Sequence, residues 1–331
     1  MTDYRLALQQ AAQFMREHDD FLVISHVSPD GDTTGSALAT CLILQQLGKQ
    51  YMVVNEGETP NKFGFLPCFD ELLDLSKTKL TRTFSHVIAV DAADSKRMGQ
   101  IQHLFAKNVQ LLNIDHHPTN DLFGTVNVIR TDAAATAEIM YELVVEGGFQ
   151  LDQSLATCIY TGLLTDTGGF RYSNTTPNVM KIAADLLTYG VKPGEIAERC
   201  LESITMEHLS ILRRALQSLK LTSNGLVASM RISHQDIKET AATTEDISGL
   251  VNYGRNIEGV EVGILLTETQ PGVVKVGFRS RSQVDVAQIA KSVGGGGHAR
   301  AAGCTLQGNL EEIEQTILAK IKEALEVSTD E

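Results

Sequence analysis

Four short clusters of carboxylate and imidazole side chains have the residue types needed for metal-assisted chemistry. They are His26, Asp30 and Asp32 in the segment HVSPDGD; Asp91; Asp115, His116 and His117; and Asp166. The first three clusters each follow a short apolar run, so a parallel sheet would deliver them to one edge. Taken singly, an Asp-Gly-Asp sequence is often a turn with a helix cap, and paired histidines are often a surface loop. Their joint placement favours one site over several separate structural roles.

Carboxylates crowded into one site repel each other unless cations bind among them. Two divalent ions about 3.5–4 Å apart would balance this charge and assist an in-line displacement at phosphorus. The ligands that we predict are His26 and Asp30 for one ion, Asp32, His116 and Asp166 for the other, and Asp91 for both. Mixed nitrogen and oxygen ligation favours Mn²⁺ or a similar ion over Mg²⁺, which prefers oxygen ligands and retains its water.

The segments that would position these clusters alternate between apolar runs and helical patterns. The apolar runs are residues 21–25 (FLVIS), 51–55 (YMVVN), 87–91 (VIAVD) and 111–114 (LLNI). Helical patterns cover residues 3–18, 33–47, 135–147, 152–165 and 177–189, and Gly48 is placed to end the second of them. Runs that are apolar throughout are typical of parallel strands covered on both faces. We therefore predict an α/β fold with a doubly wound, mainly parallel sheet for residues 1–190.

The pattern changes in the second half of the chain. A charged connecting helix is predicted over residues 202–221, within a helical linker over residues 191–221. Beyond it, strands are predicted at residues 225–232, 260–268 and 272–280, and helices at 244–255, 285–291 and 309–327. The sequence Gln-Pro-Gly at 270–272 is a hairpin signal between two of these strands. We therefore predict a smaller α+β domain over residues 222–331.

A glycine-rich segment, SVGGGGHARAAG, lies inside this second domain between a predicted helix and a predicted strand. Consecutive glycines let the backbone approach a ligand closely, and exposed N–H groups can bind an anion. Five basic residues and one acid occur from Lys275 to Arg300, whereas the rest of the chain is acidic. This segment favours phosphate binding over a flexible linker, although any single basic residue could belong to an ordinary solvated face. Arg279 and Ser280 are the best-placed pair.

Composition limits the classes of partner. The 331 residues include 28 Lys and Arg against 41 Asp and Glu, a net charge of −13. Such a chain is not attracted to long polyanions or anionic membranes, although a local basic pocket could still hold a small anion. The five cysteines form no close pair, the N-terminal residues do not resemble a signal peptide, and no apolar run reaches the roughly 18 residues of a membrane span. We expect a cytoplasmic protein with reduced thiols.

Together, HVSPDGD, IAVDAAD, Asp115-His116-His117 and LLTDTGGF resemble the motifs of the DHH phosphoesterase superfamily, and GGGGHARAAG resembles its DHHA1 domain. The resemblance covers nearly the whole chain. It is strongest to the bacterial oligoribonucleases (nanoRNases) that also remove the 3′-phosphate from 3′-phosphoadenosine 5′-phosphate. It therefore implies an enzyme that uses two divalent ions, Mn²⁺ above all, on short single-stranded RNA and small nucleotides.

The resemblance also implies roles for particular residues. It assigns His26, Asp30 and Asp91 to one Mn²⁺, and Asp32, Asp91, His116 and Asp166 to the other. It places His117 beside the scissile phosphate and Asp115 behind an imidazole, which it orients. The residues implied in substrate binding are Arg97, Arg279, Ser280, Gly295, Gly296, Gly297 and His298. Where relatives often have a hydroxyl-rich segment, this chain has Ala133-Ala134-Ala135-Thr136, which leaves Thr136 as the only hydroxyl there.

Other functions stay open on the sequence alone. The same residues would serve a phosphodiesterase for cyclic di-AMP or its linear product pApA. Cleavage of long single-stranded DNA is disfavoured because no further binding domain is present, and the glycine-rich second domain suits a nucleotide better than pyrophosphate. A catalytically silent nucleotide-binding module is opposed by the complete set of candidate ligands. The sequence also leaves open the direction of RNA degradation and a homodimer formed through the connecting helix.

Overall fold

The computed structural model describes residues 2–27 and 29–329, with Thr2, Lys96, Arg97 and residues 327–329 described by their backbone alone. The chain folds into two compact units that divide between Ser203 and Ile204, inside the predicted linker. Within the described residues, no helix has both the length and the apolar character needed to cross a membrane.

The first unit is built on a six-stranded parallel sheet. Its strands are β1 (Phe21–Ile24), β2 (Tyr51–Asn55), β3 (Leu73–Asp74), β4 (Phe84–Val90), β5 (Phe105–Asp115) and β6 (Val126–Ile129). They lie in the order β3-β2-β1-β4-β5-β6, and every neighbouring pair is parallel. The predicted α/β fold with a parallel sheet is therefore confirmed. Strands β1, β4 and β5, which precede three of the candidate clusters, lie side by side.

Six α-helices belong to the described part of this unit. They are α1 (Thr2–Glu17), α2 (Gly31–Gln46), α3 (Thr136–Gly147), α4 (Gln153–Asp166), α5 (Pro177–Leu187) and α6 (Pro193–Ala197), which continues into a π-helical turn at Glu198–Glu202. Helix α2 ends before Gly48, whose φ of 67° fits the predicted terminating position. Because successive strand residues point to opposite faces, β1 places Phe21 and Val23 in the core with the helices. Its Leu22 and Ile24 pack on the other face, which the 3₁₀ segment Ser95–Leu104 covers.

The second unit contains a mixed six-stranded sheet. Its strands are β7 (Lys220–Thr222), β8 (Val227–Ile232), β9 (Val262–Gln270), β10 (Val273–Ser280), β11 (Gly296–His298) and β12 (Ala301–Gln307). They lie in the order β11-β12-β10-β9-β8-β7, and only β8 and β9 pair in parallel. Strands β9 and β10 form the predicted hairpin through Gly272, whose φ is 75°. The predicted α+β character is therefore confirmed.

Six helices accompany this sheet: α7 (Met206–Gln217), α8 (His234–Thr240), α9 (Thr244–Ile247), α10 (Val251–Arg255), α11 (Val286–Lys291) and α12 (Leu310–Thr329). The single helix predicted over residues 244–255 is wrong, because Ser248 is extended and Gly249 has a φ of 79°, which separates α9 from α10. The predicted connecting helix is shorter than expected. It begins as α7 after the cap Thr205, and its Ile211 is buried in the core of the second unit.

Candidate metal centre

Imidazole and carboxylate side chains of the first unit gather beyond the carboxyl ends of β1, β4 and β5. Three groups have ligand atoms that all lie within 4.8 Å of one another: His26, Asp30 and Asp91; Asp32, His116 and Asp166; and Asp91, His116 and His117. We call these seven residues the metal centre. The structure thus brings together all six side chains predicted as metal ligands, with His117 beside them.

Asp91 lies at the middle of the metal centre and is 2% exposed. Its Oδ1 is 3.5 Å from His117 Nδ1 and 3.7 Å from His116 Nε2, and its Oδ2 is 3.6 Å from His26 Nε2. The backbone of Asp91 has a φ of 57°, in the left-handed region that few residues other than Gly, Asn and Asp adopt. Its N–H donates to Ile114 O at 2.9 Å, which fixes the end of β4 against β5.

Two buried hydroxyl groups orient the Asp91 carboxylate. Thr33 Oγ1 donates to Asp91 Oδ2 at 2.6 Å, and Thr136 Oγ1 donates to Asp91 Oδ1 at 3.0 Å. Thr33 Oγ1 also lies 2.7 Å from His26 Nε2, so it joins an imidazole to the central carboxylate. Thr136 is the hydroxyl that the sequence retains after three alanines. Thr33 was missed, and its place in the sequence GDTTG after an apolar run was the available signal.

The two aspartates of the first cluster start helix α2. Asp30 caps the helix by accepting from Thr33 N at 3.0 Å. The structural role that an Asp-Gly-Asp sequence often has, a helix cap, therefore applies to Asp30 in addition to its place in the metal centre. Asp32 is 1% exposed and accepts from the N–H groups of Thr136 at 2.7 Å and Ala137 at 2.8 Å. Asp32 therefore lies at the N-termini of both α2 and α3, where the helix dipoles favour negative charge.

Close packing of α2 on α4 brings Asp32 to Asp166. A Cβ atom at Gly35 would lie 2.5 Å from Cys158 O, and one at Gly162 would lie 2.7 Å from Asp32 Oδ1. Both positions therefore require glycine, because real Cβ atoms do not approach other atoms so closely. A glycine inside the helical pattern CIYTGLLTD was the sequence signal for this contact.

Asp115 faces His117 rather than the middle of the metal centre. Its Oδ1 lies 2.7 Å from His117 Nδ1 and accepts from His116 N at 2.9 Å. Its Oδ2 accepts from Asn120 Nδ2 at 2.7 Å. Asp115 is fully buried, and these bonds fix the imidazole of His117 from behind. Asn120 was not predicted, although it lies in the same short segment, DHHPTN.

His116 bridges the centre to the loop before α3. Its Nε2 is 3.6 Å from Asp166 Oδ2, and its Nδ1 is 3.3 Å from the carbonyl oxygen of Ala133. A carbonyl oxygen at Nδ1 favours the tautomer that carries its proton there, which leaves Nε2 available to bind a metal ion.

Burial and mutual repulsion raise the pKa values of three carboxyl groups in the metal centre, those of Asp32, Asp91 and Asp166. Burial, with the charge of Asp166, raises the pKa of Asp32 to about 7. Burial, with Asp32 and Asp30, raises the pKa of Asp91 to about 7. Burial, with Asp30 and Asp91, raises the pKa of Asp166 to about 8. A cation would replace these protons.

For His117 and Asp115, the contact between the two side chains outweighs the effect of burial on their pKa values. Burial alone would lower the pKa of His117, but its bond to Asp115 and the charge of Asp91 raise that pKa overall. Burial alone would raise the pKa of Asp115, but the same bond lowers that pKa below its ordinary value. His117 and Asp115 therefore act as an ion pair. The donor set as a whole, buried carboxylates mixed with imidazole nitrogens, fits divalent transition-metal ions.

The predicted substrate-binding residues of the second unit lie on β10 and β11, except Gly295, which comes directly before β11. Arg279 is half-buried near the end of β10, and its Nη1 donates to Phe278 O at 2.9 Å. Ser280 is 5% exposed, and its hydroxyl donates to Val284 O at 2.7 Å, so that hydroxyl supports a backbone turn. The structure thus gives Ser280 a structural contact, and its predicted contact with substrate stays a prediction.

The glycine run serves two purposes. A Cβ at Gly295 would lie 2.3 Å from Gly303 O, and one at Gly297 would lie 2.6 Å from Ala301 O. These two glycines let β11 pack against β12, so part of the close backbone approach predicted for a ligand is made within the sheet. At Gly296 an added Cβ would meet nothing within 4 Å, and His298 is exposed. Gly296 and His298 therefore keep open space on the edge strand.

Sequence reasoning missed Glu261, which organises the turn after β10. Its buried carboxylate accepts from the N–H groups of Ser282 at 3.1 Å, Gln283 at 2.7 Å and Val284 at 3.0 Å. An anion-binding turn therefore exists in this unit, but the chain's own glutamate occupies it. The side chain of Arg97, the remaining predicted substrate contact, lies outside the described part of the chain.

Residues 20–163 match the DHH family, N-terminal domain, and residues 223–326 match the DHHA1 domain. The chain therefore belongs to the DHH family and is a metal-dependent phosphoesterase. The resemblance drawn from the motifs is confirmed.

Within this family the chain is similar to two enzymes over almost its full length. It is 35% identical to the bifunctional oligoribonuclease and PAP phosphatase NrnA of Thermus thermophilus, over 92% of this chain and 89% of that protein. It is 28% identical to NrnA of Bacillus subtilis, over 87% of this chain and 90% of that protein. An exopolyphosphatase-related protein from Bacteroides fragilis shares the fold, with a TM-score of 0.87 and 24% identity over 97% of this chain and 96% of that one.

Proposed function

We propose that this protein is a Mn²⁺-dependent phosphohydrolase that degrades short RNA oligonucleotides and converts 3′-phosphoadenosine 5′-phosphate to AMP. The observation that carries this proposal is the convergence of six further carboxylate and imidazole side chains around the buried Asp91. The names of two similar proteins, each an oligoribonuclease and PAP phosphatase, supply the substrate classes.

The metal centre has residues for two ions. The proposed ligands are His26, Asp30 and Asp91 for one Mn²⁺, and Asp32, Asp91, His116 and Asp166 for the other. Each set contains three residues whose ligand atoms lie within 4.8 Å of one another. Bound divalent ions would stabilise charge on phosphoryl oxygens and make water a better nucleophile near neutral pH.

His117 is the proposed contact to the scissile phosphate. Asp115 holds its Nδ1 at 2.7 Å and fixes the plane of the ring. Because the same carboxylate raises the pKa of His117, the imidazole tends to keep a second proton, on Nε2. That proton can be donated to a phosphoryl oxygen as negative charge develops on it. Asp115 acts through His117 and is a positioning residue.

The second unit is proposed to bind the nucleotide away from the reacting phosphate. Arg279 offers a guanidinium group that suits phosphate. Strand β11 is at the edge of its sheet, and no strand in the described part of the chain pairs with its outer side. Gly295, Gly296, Gly297 and His298 would bind along this edge, and Arg97 of the first unit would add a further positive charge. Ser280 would contribute by holding the turn next to Arg279, as its bond to Val284 suggests.

The proposed substrates are small, which agrees with the net charge of −13. An acidic protein repels long polyanions, whereas a few nucleotides need only local positive charge. We place the reaction in the cytoplasm, and the five cysteines support this because all are free thiols. A homodimer stays a prediction.

The test begins with metal-stripped protein that is reloaded with Mn²⁺. We expect release of phosphate from 3′-phosphoadenosine 5′-phosphate and of mononucleotides from RNA dimers to pentamers. The same assays with pApA and cyclic di-AMP examine the alternative phosphodiesterase. It would be favoured by cleavage of cyclic di-AMP, which has no free end, or by cleavage of pApA faster than RNA dimers of other sequence. If Mn²⁺ gave no hydrolysis of any of these substrates, the proposal would be overturned.

Matched variants distinguish the loss of a metal-centre side chain from the general effect of removing a charge on hydrolysis. Asp91→Asn removes the central carboxylate, and His116→Ala removes an imidazole ligand, so each should abolish hydrolysis. Asp152→Asn removes an exposed carboxylate but keeps the cap of α4, because Asn caps helices as well as Asp does. It should retain full activity. Arg279→Ala should mainly raise KM, and an unchanged KM would remove Arg279 from the substrate site.

A further inference from the structure

The loop that precedes helix α3 and the first residue of that helix touch the metal centre at three points. Ala133 O lies 3.3 Å from His116 Nδ1. The first turn of α3 then donates the Thr136 N–H to Asp32 and the Thr136 hydroxyl to Asp91. The position of this loop, residues 133–135, therefore governs the orientation of an imidazole and two carboxylates.

Asn174, in the segment between α4 and α5, ties this loop to a further member of the centre. Its Nδ2 donates to Ala134 O at 3.1 Å and to Asp166 O at 3.2 Å. Only the amide nitrogen can face two carbonyl oxygens, so the surroundings fix the orientation of the amide. Among the described residues none donates to its buried Oδ1.

The opposite side of the loop is held by a buried carboxylate. Glu138 is 1% exposed, and its Oε2 accepts from Ala134 N at 2.8 Å. Its Oε1 forms an ion pair with Arg130 and accepts from Asn178 Nδ2 at 2.7 Å. Glu138 thus fixes the Ala134 N–H, and Asn174 fixes the carbonyl oxygen of the same residue. Because the loop is anchored, the second bond of Asn174 transfers that fixed position to Asp166.

We propose that Asn174 is a positioning residue that sets the separation of Asp166 from His116, and with it the affinity for one of the two metal ions. This inference rests on the proposed metal role of those two residues. Asp166 is the last residue of α4, and the chain turns at once through Gly168 and Gly169, both with positive φ. In this turn Gly169 N donates to Leu164 O and Gly168 N donates to Thr165 O. Asn174 adds a bond to the carbonyl oxygen of Asp166, which restricts the carboxylate that must meet His116.

The experiment measures Mn²⁺ binding to metal-stripped protein by calorimetry, alongside kcat and KM for 3′-phosphoadenosine 5′-phosphate. Asn174→Ala is compared with Gln153→Ala, which removes a bond of the same kind at the other end of α4, from Gln153 Nε2 to Gly190 O. For Asn174→Ala we expect one of two ions to bind about tenfold to a hundredfold more weakly, with a lower kcat and a similar KM. Gln153→Ala should bind both ions as the unchanged protein does.

Asn174→Asp separates positioning from charge. A carboxylate there adds negative charge near a cation site, which alone would tighten Mn²⁺ binding, but it also faces the two carbonyl oxygens and should displace Asp166. Weaker binding supports positioning, whereas tighter binding overturns it. Unchanged Mn²⁺ affinity in Asn174→Ala also overturns it. If the unchanged protein itself binds no Mn²⁺, the proposed function fails, and that result is distinct because it does not depend on the variants.

Discussion

The backbone N–H of Thr136 donates to Asp32 Oδ2 at 2.7 Å, although 104 positions separate the two residues. Helix α3 has Ala135 at its N-cap, and an alanine side chain cannot accept a hydrogen bond. Asp32 takes over this role from the neighbouring helix, since it also accepts from Ala137 N at 2.8 Å. One carboxylate therefore caps a helix and belongs to the metal centre, which couples the stability of α3 to the site.

Replacing Asp32 should reveal both roles. Asp32→Ala removes both acceptor bonds, whereas Asp32→Asn keeps an oxygen for one of them. In metal-free protein we expect Asp32→Ala to be about 1 kcal/mol less stable than Asp32→Asn, the usual size of a lost cap. Both variants should show a smaller rise in Tm with Mn²⁺ than the unchanged protein, because Asp32 is a proposed ligand of one of the two ions. Urea denaturation and thermal scans measure these quantities.

The control for this experiment is Asp152→Ala. Asp152 caps α4 by accepting from Leu155 N at 2.9 Å and is not part of the metal centre. This variant should lose stability but keep its response to Mn²⁺. Equal stabilities of Asp32→Ala and Asp32→Asn would show that Asp32 is not an effective cap.

Two replacements of Asp91 separate the effect of its backbone conformation on stability from the effect of its charge. Its φ of 57° suits Asn as well as Asp, whereas Ala in this region costs roughly 1–2 kcal/mol. Both Asp91→Asn and Asp91→Ala should abolish hydrolysis. Without metal at about pH 8, Asp91→Asn should be more stable than the unchanged protein, because burial raises the pKa of Asp91 to about 7 and the ionised form is unfavourable there. Thermal scans of the three metal-free proteins measure these differences. Equal Tm values for Asp91→Asn and Asp91→Ala would contradict this account.

The sequence allowed the central part of this architecture to be predicted because its signals are local. Each apolar run became a buried parallel strand, and the acids and histidines after β1, β4 and β5 met at one edge. A strand was expected after the glycine-rich segment, but its bounds could not be predicted. AAGCTLQ contains few β-branched or aromatic residues, and neighbouring strands rather than propensity hold β12 in the sheet.

The supporting residues of the site could not be predicted for a different reason. Thr33, Asn120 and Asn174 are ordinary polar residues in turns and first helical turns, where capping is their usual role. Thr33 meets Asp91 and Asn174 meets Ala134 through the packing of segments that are 58 and 40 positions apart, which local signals do not reveal. Asn120 lies only five positions from Asp115, and its bond supports that carboxylate behind His117. The positive φ of Asp91 likewise arises from the junction of β4 with β5, and no residue type in VIAVDAAD signals it.

The pair of His117 and Asp115 predicts a shift in the pH dependence of catalysis. Asp115→Asn keeps an acceptor for His117 Nδ1 but removes the charge that raises the pKa of His117. If the protonated imidazole assists hydrolysis, a lower pKa means that this form is lost at a lower pH. The alkaline limb of kcat should therefore move to lower pH, measured with saturating Mn²⁺. An unmoved limb would exclude His117 as the titrating group.

Asn120→Ala provides the comparison for that variant. It removes a bond to the other oxygen of Asp115, at 2.7 Å, and leaves the charge in place. We expect kcat to fall by about tenfold, as is common when a supporting hydrogen bond at such a site is lost, with a smaller shift of the alkaline limb. If the alkaline limb of kcat shifted more in Asn120→Ala than in Asp115→Asn, the charge of Asp115 could not be the cause of the raised pKa of His117.

Metal-free protein should lose stability as pH rises, and Mn²⁺ should counter this loss. In the unfolded chain an aspartate ionises near pH 3.9, whereas the pKa values of Asp32, Asp91 and Asp166 are raised to about 7, 7 and 8 in the folded protein. Groups with raised pKa values favour folding while they are protonated, so this contribution is lost between about pH 4 and pH 8. A rise from 3.9 to about 7 corresponds to roughly 4 kcal/mol for a single carboxyl.

The raised pKa values of His116 and His117 act in the same direction, whereas the lowered pKa of Asp115 affects stability only at more acidic pH. We therefore expect a lower Tm at about pH 8.5 than at about pH 5.5 without metal. Mn²⁺ displaces protons, so the rise in Tm that it causes should grow over the same range. Asp91→Asn should show a shallower dependence on pH in metal-free scans. If the Tm of the metal-free protein rose steadily toward alkaline pH, the proposed protonation of the carboxylates would be contradicted. Such a rise would mean that ionised carboxylates without a cation do not destabilise the folded protein.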